Sequence, residues 1–284
     1  MIYHKDSYLV IIGGAEDKTT DKEILHSLVT LTKKKEPAFV IVTTATEHPE
    51  EAGSQYIKVF HGLGVENVST LRIQTRDDTW REEVIKEIQT ADCIFFTGGD
   101  QLRISSIIGG TPIHEMLYKC LSNGKIIAGT SAGASMMSEI MVVEGEDKEA
   151  PSRCTIKMAP GMGLLGGAII DQHFNQRGRI GRLLSAIAQN PQSLGIGIDE
   201  NTAIIVDHKN EFRVIGEGVI TVIDGRHIEY CNASEQYPNE PLAITNVTIH
   251  VLPKYYGYNL TTKIPITKLE KGIQGGTKDE TIKH

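Results

Sequence analysis

Residues Lys125–Met137 read KIIAGTSAGASMM and contain the turn around which we expect the chain to fold. The apolar run Ile126–Ala128 predicts a buried strand, and GTSAG at 129–133 predicts a tight turn of small residues. Ala134–Ile140 then predicts a helix. A strand, a G-x-S-x-G turn and a helix form a nucleophile elbow, which exposes one serine at the end of a sheet. The same residues also fit a plain strand-to-helix turn with a capping serine.

Outside this turn, short apolar runs alternate with amphipathic helical patterns. The runs Tyr8–Gly14, Ala38–Thr44 and Ala91–Gly99 are almost entirely apolar, which is typical of parallel strands that are buried on both faces. We therefore predict an α/β fold with a mostly parallel sheet and helices on both faces. From about residue 203, short apolar runs split by turn residues predict a β-hairpin-rich part that includes Ile228–Tyr230 and Leu242–Leu252.

No linker is visible between these parts, so we expect one α/β domain over residues 1–266. The segment 267–284 is polar and Gly-rich, which predicts a loose C-terminal tail. The acidic segment Glu144–Glu149 favours a solvated loop; the alternative is a lid that offers carboxylates to a cationic substrate. The glycines of 161–166 match G-x-G-x-x-G, but they precede a predicted strand instead of following one, so we exclude a dinucleotide site.

The composition narrows the classes of partner. The 284 residues carry a net charge of −7, which disfavours nucleic acid and anionic membranes and is compatible with a cationic substrate. The four cysteines are widely spaced without a C-x-x-C pair, so zinc and redox motifs are unsupported. The N-terminal stretch has the pattern of neither a signal peptide nor a transmembrane span, and we expect a cytoplasmic protein.

A catalytic serine needs a base, and the base needs an acid to orient it. His173 follows a predicted buried strand and would lie at the same end of the sheet as Ser131, so we predict it to be the base. Glu200 directly follows the next strand and is our preferred acid, with Asp199 and Asp171 as alternatives. The order Ser–His–acid differs from the Ser–acid–His order of the α/β-hydrolases, which makes that family a poor match.

Two further groups of residues suit this chemistry. Backbone N–H groups must hold the oxyanion, and we predict that Ala132 supplies one and Gly99 or Asp100 the other. The cluster of three arginines at 177, 179 and 182 begins a predicted helix, where positive charge opposes the helix dipole. This placement favours capture of a substrate carboxylate over a solvated basic helix start, with Gln101 and Gln172 as neutral donors to the same group.

Four segments in this order resemble the cyanophycinases, a serine peptidase family related to the aspartyl dipeptidases. They are FTGGDQ (96–101), GTSAGA (129–134), DQHFNQRGRIGRL (171–183) and GIDENTA (197–203), and the resemblance begins at IIGGAED (11–17). It implies a flavodoxin-like sheet, shared with class I glutamine amidotransferases, in a homodimer without metal or cofactor. The implied activity is an exopeptidase that cleaves cyanophycin, a polyaspartate with arginine on each β-carboxyl, to β-Asp-Arg dipeptides.

The resemblance also implies roles for individual residues. Ser131 would be the nucleophile, His173 the base and Glu200 the orienting acid. The residues that would line the pocket are Gln101, Asp171, Gln172, Arg177, Arg179 and Arg182. We expect Arg179 to hold the aspartyl carboxyl group, and Asp171 or the acidic segment to hold the arginyl group.

Three other functions are compatible with the sequence. An intracellular aspartyl or isoaspartyl dipeptidase would use the same triad without needing arginine in its substrate. A non-catalytic binding module could be built on the same scaffold, although the complete set of Ser131, His173 and Glu200 argues against it. A glutamine amidotransferase subunit is less favoured still, because that chemistry uses a cysteine at the elbow.

Overall fold

A computed structural model describes residues 4–145, 150–151, 156–235 and 240–267 of the chain. Its strands are β1 (Tyr8–Ile12), β2 (Ala38–Val42), β3 (Asn67–Leu71), β4 (Cys93–Phe96), β5 (Ile126–Thr130), β6 (Ile140–Gly145), β7 (Ile156–Pro160), β8 (Ala168–Gln172), β9 (Leu194–Ile198), β10 (Thr202–Val206), β11 (Glu211–Gly216), β12 (Val219–Asp224), β13 (Thr248–Pro253), β14 (Gly257–Asn259) and β15 (Ile264–Ile266). Its helices are α1 (Glu23–Leu31), α2 (Pro49–Gly62), α3 (Glu82–Thr90), α4 (Gln101–Ile108), α5 (Pro112–Ser122), α6 (Ala132–Ser135) and α7 (Ile180–Gln189), with a 3₁₀ turn at Asp77–Trp80.

The larger sheet has the strand order β15-β14-β11-β10-β1-β5-β4-β2-β3. Strands β1, β5, β4, β2 and β3 run parallel, so their carboxyl ends lie along one edge. Strands β10 and β11 form the predicted hairpin and extend the sheet antiparallel beyond β1. Ligand sites in such sheets lie at the carboxyl ends of the parallel strands, and Ser131 follows the carboxyl end of β5 directly.

Successive residues of the inner strands point to opposite faces of this sheet, and both faces are buried. In β1, Val10 and Ile12 pack with the apolar faces of α1 and α2, whereas Leu9 and Ile11 belong to the cluster that includes α3, α4 and α5. Helices therefore cover both faces, which is why the inner strands β1, β2 and β4 are apolar throughout, whereas the edge strand β3 carries Asn67, Ser69 and Thr70. The predicted fold class, a flavodoxin-like, mostly parallel sheet with a β-rich C-terminal part, is confirmed.

A second sheet of order β13-β12-β9-β8 lies beside the first. Apolar residues on one face of this second sheet belong to the same buried cluster as residues of the larger sheet. Helix α7 packs on the other face. His173 follows β8 of this second sheet, so the prediction that it lies at the end of the same sheet as Ser131 is wrong. The chain crosses from the second sheet to the first through Asp199–Asn201, between β9 and β10, so the carboxyl ends of both sheets meet there.

Two other sequence predictions need correction. The helix predicted over Ala134–Ile140 ends at Ser135, because the carbonyl groups of residues 136–139 accept hydrogen bonds from the backbone of residues 161–165. Ile228–Tyr230 contains no strand. The predicted tail at 267–284 and the acidic segment lie outside the described residues from 268 and over 146–149, respectively. Among the described helices, none combines the length and the apolar character that a bilayer span requires.

Candidate active site

Ser131, His173 and Glu200 form one hydrogen-bonded chain. Ser131 Oγ lies 2.9 Å from His173 Nε2, and His173 Nδ1 lies 2.6 Å from Glu200 Oε1. In this geometry the imidazole can accept the serine proton at Nε2 while its Nδ1–H donates to the carboxylate. Asp199, the neighbouring alternative to Glu200, instead accepts hydrogen bonds from Asn175 and from the N–H of Val219.

Backbone carbonyl groups at the end of β1 hold the segments that carry Ser131, His173 and Glu200. The carbonyl of Ile12 accepts the N–H of Ser131 at 3.0 Å, and the carbonyl of Gly13 accepts the N–H of His173 at 2.8 Å. The next carbonyl, of Gly14, accepts the N–H of Asn201 at 2.9 Å, one residue beyond Glu200. Three consecutive carbonyl groups therefore fix the positions of three segments relative to one another: the end of β5, the end of β8 and the connection between β9 and β10.

The backbone at the site is held in a rarely populated conformation. Positive φ angles of 53° at Ser131, 50° at His173 and 48° at Asn201 occur in non-glycine residues. Each such residue costs on the order of 1–3 kcal/mol and persists only where surrounding contacts determine it. The hydrogen bonds to the end of β1 supply such contacts, and strain of this kind is concentrated at functional sites.

The environment of His173 favours its neutral form. Burial lowers the pKa of the imidazole from its usual value, the hydrogen bond to Glu200 opposes that shift, and the positive charges of Arg177 and Arg179 reinforce it. A general base must be unprotonated before it can accept a proton, so this shift suits His173 to that role at neutral pH.

Gly98 lies against the Ser131 side chain, between β4 and α4, and Ala132 follows Ser131 directly. The N–H groups of Gly98, Gly99 and Ala132 have no acceptor within the described residues, and a Cβ at Gly98 would lie 3.8 Å from Ser131 Oγ. The N–H of Asp100 donates to the carbonyl of Ala45 at 2.9 Å. The prediction that Asp100 is an oxyanion donor is therefore wrong; its side chain instead caps α4 by accepting from Leu102 N and Arg103 N. Gly98, which sequence reasoning did not assign, is signalled by the Gly-Gly pair that follows β4.

Several residues predicted to line the pocket form a buried ionic network. Asp171 is 1% exposed, and it accepts both Nε, at 2.6 Å, and Nη2 of Arg182. Nη1 of Arg179 donates to the backbone and side-chain oxygens of Gln172 at 2.6 and 3.0 Å and lies 3.4 Å from Asp171. The Asp171 carboxylate is therefore already paired with Arg182 and lies next to Arg179. The predicted contact between Asp171 and a substrate guanidinium is wrong for this reason.

The two remaining pocket candidates have different surroundings. Gln101 begins α4 and donates through Nε2 to the carbonyl of Val142 in β6 at 2.9 Å, so it attaches the β6–β7 hairpin to the edge of the site. Arg177 is exposed, close enough to His173 for its charge to act on the imidazole. The described residues hold no group of three or more His, Cys, Asp or Glu side chains that is arranged to bind a metal ion.

Comparisons with known proteins identify the family of this chain. The model of peptidase family S51 matches residues 9–215. The cyanophycinase of Synechococcus elongatus is 37% identical over 255 residues, which cover 89% of this chain and 79% of that protein. The cyanophycinase of Geminocystis herdmanii is 36% identical over 265 residues, covering 92% and 96% of the two chains.

A solved structure supports the fold independently. The crystal structure of a peptidase from an acI-B1 actinobacterium superposes with a TM-score of 0.62 over 86% of this chain and 97% of that one, at 20% identity. The resemblance to cyanophycinases that the four sequence segments carry is confirmed by the family match and by the identity over most of the chain. This chain belongs to peptidase family S51.

Proposed function

We propose that this chain is a cyanophycinase, a serine-type exopeptidase that releases β-Asp-Arg dipeptides from cyanophycin. The observation that carries the proposal is the hydrogen-bonded chain from Ser131 through His173 to Glu200. It stands in a protein that is 36–37% identical to cyanophycinases over most of its length. A net charge of −7 also suits a substrate rich in guanidinium groups.

In the proposed mechanism, Ser131 Oγ attacks the carbonyl carbon of the scissile peptide bond while His173 Nε2 takes its proton. The tetrahedral intermediate collapses when His173 returns that proton to the leaving amine, which leaves an acyl group on Ser131. Water, deprotonated by the same imidazole, then attacks the acyl group, and Ser131 recovers its proton as the second product leaves. Glu200 holds the Nδ1–H side of the ring and stabilises the imidazolium in both steps.

The oxyanion of this intermediate needs donors that are already oriented. We assign this role to the N–H of Ala132, which follows the nucleophile, and to the N–H of Gly98 or Gly99. Support comes from the position of Gly98 against the Ser131 side chain. It also comes from the lack of any other acceptor for these three groups in the described parts of the chain.

Recognition of the aspartyl carboxyl group is assigned to Arg177. Its side chain is exposed beside the triad, whereas Arg179 and Arg182 are buried and hold Asp171 and Gln172. The proposal transfers the carboxylate-binding role from Arg179, to which we assign it from the sequence, to Arg177, which is exposed to solvent. We also propose that the protein is a homodimer and that it is located in the cytoplasm. Sedimentation analysis tests the first proposal, and cell fractionation tests the second.

A time course of products tests this function. The purified protein is incubated with cyanophycin, and with Asp-X and isoaspartyl-X dipeptides that lack arginine, and the products are identified by mass spectrometry. An exopeptidase releases Asp-Arg dipeptide from the first time points without intermediate fragments. Cleavage of the small dipeptides with intact polymer would instead show an aspartyl or isoaspartyl dipeptidase, and no cleavage of any substrate would favour a binding module.

A further inference from the structure

A buried carboxylate that the mechanism does not use lies behind the elbow. Glu16, in the loop after β1, is 3% exposed. Its Oε2 accepts the hydroxyl of Thr130 at 2.5 Å, and its Oε1 accepts the hydroxyl of Tyr56 and lies 2.8 Å from Lys18 Nζ. Burying a carboxylate costs free energy unless it is paired and hydrogen-bonded. Thr130, Tyr56 and Lys18 together supply these partners to Glu16.

One of the three groups that hold the Glu16 carboxylate is directly attached to the nucleophile. Thr130 is the last residue of β5 and the covalent neighbour of Ser131, whose φ of 53° and ψ of −112° are strained. On the backbone side, Ser131 is fixed by its N–H to the carbonyl of Ile12, in the strand that pairs with β5. The hydrogen bond from Thr130 Oγ1 to Glu16 adds a side-chain contact at the last residue of β5, just before the turn at Ser131.

The same loop also contacts the other two catalytic candidates. Residues 13 and 14 receive the N–H groups of His173 and Asn201, and the N–H of Asp17 donates to Asn201 Oδ1 at 2.9 Å. Glu16 therefore lies in residues 13–17 of the loop between β1 and α1, and the backbone of these residues contacts the segments that hold His173 and Glu200. Its carboxylate is the group of this loop that reaches the Ser131 turn.

We propose that Glu16 and Thr130 are positioning residues, which hold the strained Ser131 turn in register with His173. The Tyr56 hydroxyl and Lys18 occupy the other oxygen of the carboxylate, and Thr130 links the carboxylate to the nucleophile. Neither Glu16 nor Thr130 is assigned a contact with substrate. The inference rests on the proposed role of Ser131 as nucleophile.

A matched pair of variants separates positioning from plain stability. Thr130→Val removes the hydroxyl that joins Glu16 to the elbow, and Tyr56→Phe removes another hydroxyl from the same carboxylate at a point remote from the elbow. Each is measured for kcat and KM on cyanophycin, for the rate at which a fluorophosphonate probe labels Ser131, and for thermal unfolding. Thr130→Ser, which restores the hydroxyl, is the rescue variant, and Thr130→Ala replaces Thr130→Val should the latter not fold.

Thr130→Val is expected to lower kcat and the labelling rate about 10- to 100-fold with KM unchanged, because a displacement of about 1 Å at the reacting atoms costs that much. Thr130→Ser should restore both rates. Tyr56→Phe should lower the melting temperature while leaving both rates at the wild-type value, because Lys18 and Thr130 still hold the carboxylate. Wild-type kcat in Thr130→Val, or an equal loss in Tyr56→Phe, would overturn the inference. A wild-type protein that neither reacts with the probe nor cleaves cyanophycin would overturn the proposed function instead.

Discussion

The imidazole of His173 lies directly against the Cα of Gly14. A Cβ at position 14 would stand 2.3 Å from Cε1 and 2.5 Å from Nε2 of the ring, and Gly14 itself has a φ of +99°. The residue must therefore lack a side chain for two reasons, a backbone conformation that favours glycine and a contact that leaves no space. Gly14 therefore limits the positions that the imidazole ring can take.

Substitution of Gly14 should consequently damage catalysis more than folding. Gly14→Ala is expected to push the ring away from Ser131 and lower kcat on cyanophycin about 100-fold. The matched control is Gly64→Ala, at a φ of +83° where an added Cβ meets nothing within 4 Å. It should show a comparable backbone penalty in thermal unfolding with wild-type kcat. Equal kcat in the two variants would contradict the proposed constraint.

The acid limb of the pH profile should report the pKa of His173. Since burial and the nearby arginines lower this pKa, kcat/KM should rise with pH through a midpoint below the usual histidine value of 6.5. Arg177→Gln removes one positive charge, which raises the pKa, so the acid limb should move to higher pH. Profiles of wild type and variant at one ionic strength check the sign, and a shift to lower pH would be inconsistent with it.

Glu200 should shift the same limb in the opposite direction. Its hydrogen bond and charge raise the pKa of His173, so Glu200→Gln should move the acid limb to lower pH. The maximal kcat should fall at the same time, because an amide does not stabilise the imidazolium. An unchanged profile with unchanged kcat would exclude Glu200 as the orienting acid.

The pair of Asp171 and Arg182 should behave as a structural unit. Arg182→Met leaves a carboxylate that is 1% exposed without its bidentate partner, which is expected to lower the free energy of unfolding by about 3 kcal/mol. The double variant Asp171→Leu with Arg182→Met should recover much of that loss. Urea unfolding measures both, and a rise in KM without any loss of stability would instead support the pocket role that the resemblance implies.

Asp100 should contribute to the stability of α4 and not to catalysis. Asp100→Ala removes an N-cap and is expected to cost about 1 kcal/mol in the free energy of unfolding with kcat unchanged. Asp100→Asn, which keeps a capping oxygen, should lie close to wild type in both measurements. A large loss of kcat in Asp100→Ala would restore this residue to the oxyanion site.

Much of the architecture is predictable because its signals are local. Apolar runs such as Ala38–Thr44 identify buried parallel strands, and the GTSAG turn identifies the elbow. His173 and Glu200 are each signalled by their position just beyond a buried strand. These residues and Ser131 could therefore be named from the sequence as one site, and the distances between them fit that assignment.

Other features depend on contacts that the sequence does not display. The short α6 results from pairing of residues 136–139 with residues 161–165, and the second sheet results from strands far apart along the chain. A cluster of arginines looks the same whether it binds substrate or its own carboxylate, so burial was needed to separate Arg177 from Arg179 and Arg182. The contact of Glu16 with Thr130 joins residues 114 positions apart, and no local pattern in the sequence indicates it.

The proposed function is tested by comparing the release of Asp-Arg dipeptide from cyanophycin by the wild-type protein and by Ser131→Ala, each shown to be folded by circular dichroism. We predict dipeptide from the wild type and a loss of about 10⁴-fold or more in the variant, as expected when a catalytic serine is removed. Release by Ser131→Ala at a rate near that of the wild type would show that Ser131 is not the nucleophile.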